Sequence, residues 1–236
     1  MTKSSSILFL FTLLTLTACQ NDEEVDMHLS NEEAVEIVEE SLKSETYGVS
    51  AQVEATTKSA EAEATALTPA CGIQFDSTFS VANDPGAVRT YSYTVNYGYE
   101  LACTGPIPNT FSVSLSTLGS YNTPRISSND QSDLSATISN LLTGSEFLYD
   151  SNATRIGTQS FTVNNNTRAF SSRLNLTLIN LSIDKTTYEI MGGTGTFDLT
   201  GSNTNGNAFS FTGDIVFIGN GAATLTINDV SYDIQI

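Results

Sequence analysis

The sequence predicts an all-β fold, an antiparallel sandwich or barrel-like meander, preceded by a short N-terminal helix and a flexible stalk. Three observations predict it. From Cys71 onward Thr, Ser, Asn, Gly, Val, Ile, Phe and Tyr dominate and charge becomes sparse. The run Arg89–Cys103, RTYSYTVNYGYELAC, alternates strictly: Tyr91, Tyr93, Val95, Tyr97, Tyr99, Leu101 and Cys103 on one face, and Thr90, Ser92, Thr94, Asn96, Gly98, Glu100 and Ala102 on the other. A period of two marks a strand with one face toward a core and one toward water. Finally, Ser202–Gly206, Gly219-Asn220-Gly221 and Asn228-Asp229 supply the Gly and Asn that tight hairpins need for positive φ.

Further strand-like runs follow at Thr110–Leu118, Gln159–Val163, Arg173–Ile183, Thr187–Met191, Gly195–Thr200, Ala208–Ile218, Ala222–Ile227 and Val230–Ile236. The last 45 residues read as a meander of adjacent antiparallel strands, and no helix-length pattern interrupts them as parallel βαβ units would require. Leu134–Leu142 fits helix or strand, with strand preferred. LSATISNL (Leu134–Leu141) echoes LNLTLINL (Leu174–Leu181) at an offset of 40 residues, as two similar hairpin units or shared β composition would.

Ahead of this domain, Ser30 followed by Glu33 forms a capping-box pattern, and Ala34, Ile37, Val38, Ser41 and Leu42 recur at helical spacing. Residues 30–44 therefore read as one short amphipathic helix. Residues 45–70 are mainly Ser, Thr, Ala and Glu with few large apolar side chains, which reads as a flexible or loosely helical stalk, spanning about 28 Å as a coil.

The chain opens with Lys3, the apolar run Ile7–Leu16, and small residues before Cys19. That run is half the length of about 20 residues a membrane-spanning helix needs, so residues 1–18 read as a signal peptide. Leu16-Thr17-Ala18-Cys19 resembles the lipobox of bacterial lipoproteins, which implies a lipid on Cys19 and cleavage before it. Gln20-Asn21-Asp22-Glu23-Glu24 resembles the acidic export signal of Bacteroidota-type surface lipoproteins, which implies recognition by the lipoprotein export machinery and display on the outer membrane surface. Residues 19–29 then form a lipidated acidic tether, and residues 71–236 the β domain. Asp76-Ser77-Thr78 resembles the O-glycosylation site of exported proteins from such organisms, which implies a modified Ser77.

A net charge of −17 repels phosphate backbones and anionic lipid, which argues against nucleic-acid binding and leaves membrane contact to the lipid anchor. Cys71 and Cys103 are the remaining cysteines, and outside the cytoplasm such a pair forms a disulfide. Closing that loop stabilises by roughly 3–4 kcal/mol where the geometry fits. His28, the sole histidine, lies in the tether, so neither zinc nor another metal is expected.

Catalysis finds little support. The β domain has no histidine to serve a nucleophilic serine. Gly192–Thr196 lacks a phosphate-loop lysine and reads as a turn or bulge. Glu100, Glu146 and Glu189 are carboxylate candidates for glycan hydrolysis by elimination only. Asn129–Asp133 and Asp150–Asn152 offer oxygen ligands for calcium but read as turns. The tyrosine stripe of residues 91–99 reads as core, with a ligand pocket as its alternative. The expectation is a non-enzymatic, cofactor-free surface lipoprotein with a structural or ligand-binding β domain and an extracellular partner. The alternatives are a periplasm-facing carrier of apolar ligands or envelope assembly factor, and a carboxylate-dependent glycan hydrolase.

Overall fold

The structure, a computed structural model, describes residues 29–163 and 166–236. The expected signal peptide, Cys19, the acidic run Gln20–Glu24 and His28 lie outside the described residues. Helix α1 (Asn31–Leu42) leads through a 3-10 turn (Ser44–Thr46) into helix α2 (Val49–Ala64). Ten strands follow: β1 (Gln74–Ala82), β2 (Thr90–Thr104), β3 (Ile107–Asn122), β4 (Ile126–Ser139), β5 (Glu146–Val163), β6 (Asn166–Asp184), β7 (Ile190–Asn203), β8 (Ala208–Gly219), β9 (Ala222–Ile227) and β10 (Val230–Gln235). They form one antiparallel sheet in strict chain order, β1 to β10. The architecture is the expected meander, with the chain's polar and apolar residues sorted onto opposite faces.

One face of this sheet is buried and the other wet. Strand β4 alternates along its whole length, with Leu134, Ala136 and Ile138 inside. The buried face is covered by the helices. Helix α1 packs on β9 and β10 at one end of the sheet, while Glu40 reaches Arg89, just ahead of β2, near the other. Helix α2 packs on β2 and β3, and Tyr188, between β6 and β7, donates to Glu61 of the same helix. Elements from both halves of the sheet thus meet one pair of helices, so the sheet curls around them.

The sequence supplies the means of bending. In register across β2 to β8, the inward row reads Tyr93, Gly119, Asp130, Gly157, Ser172, Gly201 and Phe209. A glycine falls on every second strand. A Cβ at Gly119 would stand 2.0 Å from the Ser92 carbonyl oxygen, one at Gly157 2.6 Å from that of Asn129, and one at Gly201 2.2 Å from that of Ser171. Each missing side chain lets the neighbouring strand's backbone close in, the role of glycine in strongly coiled sheets.

The stalk expectation is overturned. Residues 49–64 form a helix whose Val49, Gln52, Val53, Thr56, Thr57, Ala60 and Ala64 are buried. These positions recur at helical spacing, but their side chains are too small or too polar to register as an apolar stripe. The Thr56 hydroxyl donates to the Gln52 carbonyl at 2.7 Å and that of Thr57 to the Val53 carbonyl at 2.7 Å, so each presents its methyl group to the sheet at little polar cost. The helices turn sharply at Gly48, where any Cβ would lie 2.5 Å from the Ser41 carbonyl oxygen.

Other expectations shift in detail. The Asx-rich runs Asn129–Asp133 and Asp150–Asn152 lie inside β4 and β5, not in turns. Polar residues at inward positions conceal the period there: Ser132 is buried against Thr117 at 2.7 Å, and Asp130 is buried in an ion pair. Strand β1 was not among the expected runs; Phe75, Phe79 and Val81 share one side of it, but as an edge strand it leaves both faces largely exposed. The echoed segments fall on β4 and β6, which run in the same direction two strands apart. The capping box of α1 is formed as expected.

The disulfide links Cys71 to Cys103 with Cα atoms 5.6 Å apart. Both cysteines are half-buried, and the link pins the segment between α2 and β1 to the end of β2.

Candidate functional site

Two polar constellations stand out, one beneath the helices and one on the open face. The inner one begins with Asp130 on β4, whose side chain is fully buried. Arg155 on β5 approaches it, Nε to Oδ1 at 3.0 Å. Ser128 donates to Asp130 Oδ2 at 2.7 Å and Tyr93 to Oδ1 at 3.2 Å. The Arg155 guanidinium lies 4.7 Å from the ring centroid of Tyr121, and Tyr93 stacks on Tyr47 at the corner between the helices. Burial pushes the Tyr93 phenol far up, and the Asp130 charge adds to the shift, so Tyr93 is a hydrogen-bond donor at every physiological pH. This cluster is largely buried and cross-linked by hydrogen bonds and an ion pair. It orients the sheet under the helix corner rather than presenting a reactive group. The pairing was missed because an Asp and an Arg 25 positions apart carry no local motif.

A second set of charges fastens α1. Glu33, Glu36 and Glu40 lie on one side of the helix and meet Arg168, Arg125 and Arg89 respectively. All three arginines stand at the same end of the sheet. Arg89 is held by both oxygens of Glu40, a forked pairing that fixes helix direction as well as distance.

The outer constellation is the solvent face of the sheet. In register across all ten strands, one row reads Asp76, Gly98, Ser114, Ser135, Asn152, Thr177, Thr196, Asp214, Thr226 and Ser231. The adjacent row reads Thr78, Asn96, Ser116, Asp133, Thr154, Asn175, Asp198 and Thr212. Neighbours within the rows bond to one another, for example Ser116 to Asp133 at 2.6 Å and Thr177 to Asn152 at 3.0 Å. Small hydroxyl, amide and carboxylate groups are thereby held in fixed positions over an extended surface.

At Gly98 the row dips. A Cβ there would lie 2.7 Å from Asp76 Oδ1 and 2.8 Å from Ser114 Oγ, so these side chains lean over a bare stretch of backbone. Two open hollows flank it. One, of about 280 Å³, is edged by Gln74, Asp76, Glu100 and Ser112. The other, of about 390 Å³, is edged by Asp76, Thr78, Asn96 and Ser116. This trough presents oxygen and amide groups suited to a hydroxylated or cationic ligand held by hydrogen bonds.

Of the candidates named from sequence, Glu100 borders the trough. Glu146 opens β5, opposite Asp184, and Glu189 lies in the β6–β7 turn. Three strand spacings separate β2 from β5, about 14 Å along the sheet, beyond the reach of a paired-carboxylate glycosidase. The structure therefore does not bring Glu100 and Glu146 together. Ser77 sits at the middle of β1, half-buried. Tyr93 is buried, and Tyr91, Tyr97 and Tyr99 pack against the core as expected. Tyr99 donates to Glu63 of α2 at 2.8 Å. Among the described residues no cluster of His, Cys, Asp and Glu could hold a metal ion, and no helix is long and apolar enough to cross a membrane. Comparison with protein-family models, curated proteins and solved structures finds no match for this chain.

Proposed function

We propose that this chain is a lipid-anchored outer-membrane surface protein whose β domain is a non-enzymatic binding or structural module. The observation that carries the binding role is the ordered outer face, with its trough at Gly98. The filled interior favours this reading over carriage of an apolar ligand, since α2 occupies the space a carrier would need. An apolar hollow beside Leu29, Phe161 and Phe209 has a volume of only about 10 Å³.

The address rests on Leu16–Cys19 and on Gln20–Glu24. With α2 part of the folded unit, the expected tether shortens to residues 19–29. A chain that short reaches at most about 40 Å when extended. The domain would ride close to the lipid, with the α1 end of the sheet nearest to it.

The test is protease accessibility on intact cells, comparing the wild type with a variant in which Asp22, Glu23 and Glu24 are alanine. Digestion of the wild type alone is the expected result. Protection of both until the cells are lysed would place the protein inside the envelope and overturn surface display.

A further inference from the structure

The sheet has two edges, and they are treated differently. At β10, the Gln235 amide donates to Glu39 of α1 at 3.4 Å, and α1 lies against the strand. At β1, among the described residues, no strand or helix covers the outer side. An edge of this kind offers a row of unpaired N–H and C=O groups, which proteins usually guard with Pro, Lys or a bulge. Strand β1, QFDSTFSVA, has no Pro or Lys, and it pairs with β2 over nine residues without a bulge. On its inward side it carries Phe75 and Phe79, which lie beyond the cover of the helices and remain 47% and 42% exposed. Phe75 stacks on Tyr99 with ring centroids 4.9 Å apart, and Phe79 meets Tyr97 edge-on at 6.5 Å. The exposed rings therefore extend the half-buried aromatic stripe of β2 out to the edge.

We propose that β1 is a dimerisation edge, pairing antiparallel with β1 of a second copy about a two-fold axis at Ser77. The sequence around that residue is self-complementary. Phe75 and Phe79 are equally distant from Ser77, so this register sets Phe75 of each copy against Phe79 of the other, twice. Asp76, the one charge on the strand, faces Thr78, and Gln74 faces Ser80. A slip of one residue turns the aromatics to the wrong face, and a slip of two sets one Phe of each copy against Ser77 and the other against Ile73 or Val81. Cross-strand aromatic pairs and the new backbone ladder supply the attraction. Two half-exposed phenyl rings per copy offer roughly 200 Å² of aromatic surface. Even with the backbone, the pair falls below the roughly 1,000 Å² of a stable interface, so the dimer is transient in solution. The net charge of −17 on each copy opposes association, and added salt strengthens it by screening.

The full chain, purified and followed by sedimentation equilibrium into the high-micromolar range, should show a weight-average mass rising toward that of a dimer, more so in salt. Phe79→Lys should stay monomeric throughout, with an unchanged near-ultraviolet circular dichroism spectrum showing that it is folded. Ser77→Cys should cross-link to a dimer on mild oxidation, because residues facing across an antiparallel pair place their Cβ atoms about 5 Å apart. Ala82→Cys, five residues from the axis, should not. A wild type monomeric at every concentration, a dimer untouched by Phe79→Lys, or cross-linking at residue 82 instead of residue 77 would each overturn the proposal.

Discussion

Helix α1 meets the sheet with Ile37, Val38 and Leu42, whereas α2 meets it with Val53, Thr56, Thr57, Ala60 and Ala64. Both sets are buried, yet only the first announces itself. Large aliphatic side chains reach the sheet from a distance and leave the rest of α1 free to carry acids. Small ones bring the α2 backbone close, and the threonine hydroxyls turn back onto their own helix. Burial thus tracks the distance between surfaces as much as side-chain hydrophobicity. A helix can lie deep in a core while its composition resembles a linker.

The contrast can be broken outright. Replacing residues 49–64 with a Gly/Ser segment of equal length would leave a true stalk functional. Here it uncovers the inner face of the sheet, and the cooperative thermal transition should disappear in calorimetry. Single substitutions should separate the two helices by sign of volume. Leu42→Ala, at a fully buried site on α1, should cost roughly 2–5 kcal/mol by creating a cavity. Ala60→Leu, also fully buried but pressed close to the sheet, should cost roughly 1–3 kcal/mol by overpacking. Urea titrations of both variants check this, and no loss for Ala60→Leu would refute close packing of α2.

The charged side of α1 offers a smaller effect. Burial raises the Glu36 carboxyl above its ordinary range, with Arg125 opposing the shift. A carboxyl whose folded pKa exceeds its unfolded value destabilises when ionised, and that cost fades as pH falls through the folded pKa. The stability of Glu36→Gln relative to wild type should therefore be highest near neutrality and decline into the carboxylate range. Thermal midpoints of the two proteins at several pH values would show it, and a constant difference would exclude it. The smallest effect belongs to Thr57→Val, expected within about 1 kcal/mol because the lost hydroxyl bonds only its own helix.

Legibility followed solvent exposure. Strand β2 was readable because its outward residues are small or polar and its inward ones almost all aromatic or aliphatic. Strand β9 was readable to the residue, bounded by its Gly and Asn turns. Strand β4 was legible only in its second half, since Asp130 and Ser132 point inward and are satisfied by Arg155 and Thr117. The outer-face rows were visible as scattered Ser, Thr, Asn and Asp. Their alignment depends on cross-strand register, which no single strand encodes.

By itself the sequence determined which face of β2 is wet, where the last hairpins turn, the bounds of β9, and where α1 begins. Each depends on a residue and its near neighbours along the chain. The tertiary structure decided the burial of α2, the pairing of Asp130 with Arg155, the glycine row that bends the sheet, and which edge stays open. Those depend on what lies opposite across several strands, and chain-local chemistry cannot see the surface it will be pressed against.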